Sequence, residues 1–244
     1  MARIYLVTAW QEVDPGRLKG VTAVVIDVLA ATTNIITGLA HGAESFILTR
    51  DREETEALAQ KLPPESRLRA GEIGSGFIRE FELTPLSSNF RSPRVKGKTI
   101  VLNTTNGTKA AHACRPAQKV ILAALVNARA VVDFLAREQT EKITIVCAGN
   151  LGKIAYEDFF CGGLLVEKLL AHRDFRANDA ALAARDVYRQ GRERAFPAFL
   201  DTLSSRAILV YGTEEEIRFA AREDLYTLVP GMFPHPSLGL EIKA

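Results

Sequence analysis

Apolar and polar positions along the chain form short β-branched runs that alternate with segments of helical period. Val21 to Val28 is a nearly unbroken apolar run, and Thr33 to His41 follows with apolar residues at helical spacing before Gly42. Ser45 to Leu48 reads as a return strand, and Asp51 to Leu62 as a charged amphipathic helix stopped by Pro63-Pro64. A second round starts at the strand Thr99 to Leu102, passes through the helix-compatible run Lys109 to Cys114 and returns at Lys119 to Leu122. Asn127 to Arg137 predicts a helix, Lys142 to Cys147 a strand and Tyr156 to Ala171 a long apolar helix. Met1 to Val7 reads as a first strand, Asn178 to Ala195 as an Ala- and Arg-rich helix, and Glu214 to Glu223 as an exposed charged one. Such alternation predicts an α/β fold, with three α/β/α layers and a mostly parallel or mixed sheet covered on both faces.

The two rounds echo each other. Ile26-Asp27-Val28, Thr32-Thr33-Asn34 and Phe46-Ile47-Leu48 parallel Val101-Leu102-Asn103, Thr104-Thr105-Asn106 and Val120-Ile121-Leu122. Two similar subdomains and a chance likeness both accommodate this match. No Pro-rich or Gly/Ser linker divides residues 1–244, which are expected to form a single domain.

Composition narrows the function. A net charge of +2 among 60 charged groups leaves no global field to recruit nucleic acid or an anionic membrane, so any anion site must be local. No apolar run approaches the roughly 20 residues that span a bilayer. The amino-terminal run is too short and polar for a signal-peptide core. Cys114, Cys147 and Cys161 are an odd number without C-x-x-C spacing, which predicts reduced thiols in a cytoplasm and no zinc site.

Four segments carry candidate chemistry. In open α/β sheets ligands bind beyond the carboxyl ends of strands, and Asp27 stands at such an end among Val25, Ile26, Val28 and Leu29. A carboxylate in that company must be paired, hydrogen-bonded or metal-bound, a structural helix cap being the simplest case. Thr104-Thr105-Asn106-Gly107-Thr108 joins a strand to a helix, as an oxyanion or phosphate cradle does, although an ordinary polar cap has the same look. Gly71-Glu72-Ile73-Gly74-Ser75-Gly76 is a glycine-rich loop; it lacks a preceding strand of convincing length, which weakens a dinucleotide reading. Cys147-Ala148-Gly149-Asn150-Leu151-Gly152-Lys153 leads to Glu157-Asp158 at a helix start, where two acids either complement the helix dipole or ligate magnesium.

Taken in order, Asp27-Val28-Leu29-x-Ala31-Thr32-Thr33, Gly71-Glu72-x-Gly74, Thr104 to Thr108 and Cys147-Ala148-Gly149-x-x-Gly152 with Glu157-Asp158-x-x-Cys161-x-Gly163 resemble the 2-phosphosulfolactate phosphatase (ComB) family. The resemblance runs over nearly the whole chain, through Asp179-Ala180-Ala181, Ser205-Arg206 and Val229-Pro230. It implies a magnesium-dependent phosphohydrolase that removes phosphate from 2-phospho-3-sulfolactate on the route to coenzyme M, with an α/β fold. The chain departs from the family pattern where Ala30 and Ile73 stand in place of arginines, and where Leu83-Thr84-Pro85 replaces a Gly-Asn-Ser-Pro element. Two bidentate anion clamps are thereby lost.

On this reading Asp27, Glu72, Glu157 and Asp158 ligate magnesium, with the catalytic base among Asp27, Glu72 and Asp158. Thr32, Thr33, Thr105, Asn106, Gly107, Thr108, Lys109, Gly149, Lys153 and Arg206 would bind the substrate, a small phosphorylated and in the family sulfonated acid. A covalent route through Asp27 or a cysteine, a noncatalytic or substrate-shifted anion binder, and a Rossmann protein holding a nucleotide at Gly71 to Gly76 are the alternatives. Apolar helices leave room for a homodimer.

Overall fold

The computed structural model describes residues 2–73 and 76–244. In chain order, β1 (Ala2–Val7) leads to β2 (Thr22–Ile26), α1 (Ala31–Ala40), β3 (Ser45–Thr49), α2 (Arg52–Ala59), β4 (Arg67–Ile73) and the short β5 (Gly76–Phe77). After α3 (Ser87–Phe90) come β6 (Thr99–Asn103), α4 (Gly107–Ala113), β7 (Lys119–Ala123), α5 (Ala128–Arg137) and β8 (Lys142–Cys147). The last third holds α6 (Tyr156–His172), β9 (Phe175–Ala177), α7 (Asp179–Gly191), α8 (Ala195–Leu200), α9 (Leu203–Leu209), α10 (Glu214–Ala220) and the hairpin β10 (Gly231–His235) and β11 (Gly239–Lys243). The α/β class expected from the alternation is the one observed.

The strands line up as β5-β4-β6-β3-β11-β10-β7-β2-β8-β1-β9. Two parallel blocks make up the sheet: β7, β2, β8, β1 and β9 in one, and β3, β6 and β4 in the other. Because the β10–β11 hairpin pairs antiparallel with itself, with β7 and with β3, the blocks run in opposite senses. The unit β2–α1–β3 starts in one block and returns in the other, and β6–α4–β7 makes the reverse crossing. Their strands pair reciprocally, Thr22 with Lys119 through Ile26 with Ala123, and Ser45 with Thr99 through Thr49 with Asn103.

Strand alternation then sorts the core. Ala23 and Val25 of β2 share one apolar cluster with Phe46 and Leu48 of β3, Ile100 and Leu102 of β6, and Ala110 and Ala111 of α4. Helices α1 and α4 therefore pack within a core to which both blocks contribute. The opposite face of the larger block, including Val24, Ile26 and Ile145, packs on α5, α6 and α7. Ile47 and Val101 of the smaller block meet Ala59 and Leu62 at α2. Each fully buried Ile, Leu or Phe contributes about 1.5–3 kcal/mol, so both crossings are anchored by several such side chains.

Two elements escape the periodicity. The segment read as a glycine-rich loop without a strand before it contains one, since Arg67–Ile73 is β4, with Gly71 and Glu72 inside it. Its alternating arginines resemble a solvated loop in sequence, but Arg67 donates to the carbonyls of Ala59 and Leu62, and Arg69 pairs with Glu82. The carboxy-terminal hairpin carries Pro234 and few apolar residues, and it is defined by partners more than 100 positions away in β7 and β3.

Candidate active site

Asp27 directly follows β2, where the chain turns into α1. Its Oδ1 accepts from the Ala31 amide at 3.2 Å, and the Gly107 amide of the second crossing also donates to its carboxyl. A Cβ at Gly107 would overlap both the Asp27 carboxylate and the Ala31 side chain, so only glycine allows this approach. The Thr32 hydroxyl donates to the Asp27 carbonyl at 2.8 Å and accepts from its amide. The Leu29–Ala30 peptide just beyond is cis.

Asp158 lies in the first turn of α6, where both oxygens are held. Oδ1 accepts from the Val28 amide at 2.8 Å and Oδ2 from the Gly149 amide at 3.0 Å, tying the end of β2 to the turn after β8. Gly149 supplies that amide from a left-handed conformation, φ +69°. Glu72 projects from β4 and accepts from the Thr105 amide at 3.2 Å. Hydroxyls of Thr202 and Ser204 approach the Glu157 carboxyl, yet its buried Oε2 has no hydrogen-bond partner among the described residues.

All four acids line one cavity of about 280 Å³, together with Thr104, Thr105, Asn106, Gly149 and Asn150. Among the described residues, no lysine, arginine or histidine lines it. Burial is the main reason that all four carboxyls are pushed up. Asp27 reaches about 7, with the nearby charges of Glu72 and Glu157 adding to burial. Glu72 and Glu157 rise through burial, and Asp158 rises well above the usual range through burial and the charges of Asp27 and Glu157. A concentration of buried acid without a base is costly unless a cation or protons compensate it.

The donor set suits a hard ion. Magnesium prefers oxygen ligands, and the acid-rich lining and the unpartnered Glu157 Oε2 meet that need. Among the described residues no three acidic, histidine or cysteine side chains cluster tightly enough to enclose a metal.

The turn after β6 differs from the anion cradle expected of it. The Thr105 amide faces Glu72, the Gly107 amide faces Asp27, and the Thr108 amide is capped by the Thr104 hydroxyl at 3.0 Å. Its positive end therefore orients carboxylates. The hydroxyls of Thr32, Thr33 and Thr108 donate to the backbone carbonyls of Asp27, Val28 and Thr104, so they shape turns. Lys109, Lys153 and Arg206 do not line the cavity; Lys109 is half-buried, and Lys153 and Arg206 are exposed. Long cationic side chains remain in water unless a buried partner repays their desolvation, and the acids here already hold backbone amides.

Other sequence alternatives narrow as well. Cys114, Cys147 and Cys161 are buried free thiols, with Cys114 pushed up to about 12 and the other two well above the thiol range. None is an activated nucleophile. Gly74 and Ser75 of the proposed nucleotide loop lie outside the described residues. Around them β4 and β5 form an antiparallel hairpin, Glu72 opposite Phe77, where a dinucleotide fingerprint requires a strand-to-helix turn. Sequence reasoning missed the wall supplied by Phe77, Pro85 and α9, namely Leu203, Ser204, Ala207 and Ile208. Pro85 closes the Leu83-Thr84-Pro85 element, but no motif marks the others; they are ordinary positions brought to the cavity by the fold.

The chain matches the family model described as 2-phosphosulpholactate phosphatase over residues 8–233. A Deinococcus radiodurans protein named probable 2-phosphosulfolactate phosphatase is 37% identical over 213 residues, covering 87% of this chain and 88% of that one. Proteins with the same name from Synechocystis sp. and Caldanaerobacter subterraneus are 34% and 32% identical, over 90% and 91% of this chain and 92% and 91% of theirs.

Proposed function

The chain belongs to the 2-phosphosulfolactate phosphatase family, and from that premise we propose that it hydrolyses a small phosphate monoester with a magnesium ion held at the acid-lined cavity by one or two carboxylates, Glu72 and Glu157. The observation that carries this reading is the acid-only lining of the cavity. A dianionic phosphate is repelled by buried carboxylates with no base among the described lining residues, and a cation between them relieves that repulsion. The Thr105 and Gly107 amides are engaged by carboxyls and do not supply that charge.

When bound, the ion would neutralise phosphoryl oxygens and so stabilise charge in the transition state. The protein contributes position and protons. Asp158, fixed by two backbone amides, holds the end of β2 against the turn at Gly149 and thereby orients Asp27. With the ion on Glu72 or Glu157, Asp27, whose carboxyl is pushed up by burial, is placed to take a proton from an attacking water or to return one to the departing alkoxide. Asn106, in the turn after β6, and Asn150, in the turn after β8, line the cavity and are the side-chain amides nearest to hand for the ester. Buried free thiols and the absence of a membrane-spanning helix among the described residues are in keeping with work in a reducing, aqueous compartment.

Phosphate release from a panel of small monoesters, with added magnesium and again with a chelator, tests the proposal. Turnover that requires magnesium and returns on its re-addition is expected. Release indifferent to the chelator, or no release from any ester, would sink it.

A further inference from the structure

A second cavity shares no lining residue with the acid site. Its volume of about 460 Å³ falls within the ordinary range of ligand sites. The floor is one face of β1 and β8. Ile4, Leu6, Ile143 and Ile145 of these strands belong to the core cluster under α6 and α7, so by strand alternation Arg3, Tyr5, Lys142 and Thr144 occupy the other face. Val7 and Val146 on that face join an apolar cluster with Trp10 and Val13, but Tyr5 remains 43% exposed. The parallel register sets Arg3 directly beside Lys142.

Like charges side by side on neighbouring strands repel each other, and the wall supplied by residues 12–19 adds Arg17 and Lys19 to the same cavity. The acids of that wall are already engaged. Glu12 accepts from the amide and the hydroxyl of Thr8 at 2.9 and 2.7 Å, and Asp14 accepts from the Gly16 amide and meets Arg17 at 3.4 Å. Among the described residues Arg3, Lys19 and Lys142 form no ion pair. We propose that this cavity is a second binding site, for a nucleoside phosphate. Phosphate oxygens between Arg3, Lys19 and Lys142 turn the repulsion into attraction, with the Arg3 fork able to take two oxygens at once. The exposed Tyr5 ring, beside Val13, gives the base a flat apolar seat of the kind on which bases stack. An inorganic polyanion uses the cations alone and leaves the ring uncovered.

The test is calorimetric titration of the whole chain with ADP, pyrophosphate and adenosine in magnesium-free buffer. ADP is expected to bind saturably and about tenfold tighter than pyrophosphate, the gain from stacking one base, and adenosine more weakly than ADP. Lys19→Glu combined with Lys142→Glu, both at exposed positions, should weaken ADP about tenfold while phosphate release from a small monoester stays unchanged. Tyr5→Ala should remove the advantage of ADP over pyrophosphate. Should the double variant not fold, Lys19→Gln alone carries the test, with a loss of about threefold. No saturable ADP binding, pyrophosphate bound as tightly as ADP, or ADP binding indifferent to the lysine substitutions, as binding at the acid cavity would give, overturns the proposal.

Discussion

The two crossings, β2–α1–β3 and β6–α4–β7, use one local device for different ends. In each, the residue after the strand presents a side-chain oxygen to the amide four positions later, Asp27 to Ala31 at 3.2 Å and Thr104 to Thr108 at 3.0 Å. In each, a threonine at the helix start returns its hydroxyl to the carbonyl of that same residue. The difference is charge. Thr104 ends its role as a neutral cap, whereas Asp27 brings a carboxyl into a cavity with three other acids, and burial with the charges of Glu72 and Glu157 lifts it to about 7. The same turn geometry can thus serve stability alone or stability and chemistry, depending on what the rest of the fold brings beside it.

Asp27→Asn breaks the comparison most sharply. Asparagine can still accept from Ala31, so the fold should persist, while kcat for phosphate release falls about 10²–10⁴-fold, the usual contribution of a positioned acid or base. Retained turnover in a folded Asp27→Asn protein would remove Asp27 from the chemistry. Gly107→Ala tests where the crossings touch. The new Cβ collides with the Asp27 carboxylate and Ala31, so a stability loss of about 1–3 kcal/mol in urea unfolding is expected, together with lower activity.

The pH dependence sharpens the contrast further. Because Asp27 is held above its ordinary 3.8, the native state keeps a proton that the unfolded state releases. Its stabilising effect is full below that value and is lost as pH rises to about 7. Thermal melts of magnesium-free protein should show Tm falling across that window, with magnesium restoring part of the loss and Asp27→Asn flattening the profile. The smallest effect is expected at the equivalent cap. Thr104→Ala should lower stability by about 1 kcal/mol, with a far smaller loss of kcat than Asp27→Asn, when denaturation and phosphate release are measured side by side.

Much of the strand–helix order was legible because apolar runs and helical spacing follow directly from burial on a sheet. Val21 to Val28 and Tyr156 to Ala171 contain β2 and α6 within a few residues. The acids were legible too, since a carboxylate amid Val and Ile, or two at the start of an apolar helix, demands explanation. Arg67–Ile73 was not, because its charges are satisfied by Glu82 and by carbonyls at α2 that adjacency in sequence does not reveal. Nor was the purpose of the Thr104 to Thr108 turn. A row of amides at a helix start predicts an anion, and only the neighbouring strands decide that the anions are Glu72 and Asp27 themselves.

By itself, the sequence determined the alternation of elements, the α/β class and the presence of acids at strand ends, since these depend on side-chain polarity and short-range spacing. Tertiary structure alone decided that two crossings and a terminal hairpin close around α1 and α4, that four acids share one cavity without a base, and that α9 supplies its apolar wall. Those outcomes depend on contacts between residues far apart in the chain, and no local pattern encodes which distant surface will cover, pair or neutralise a given side chain.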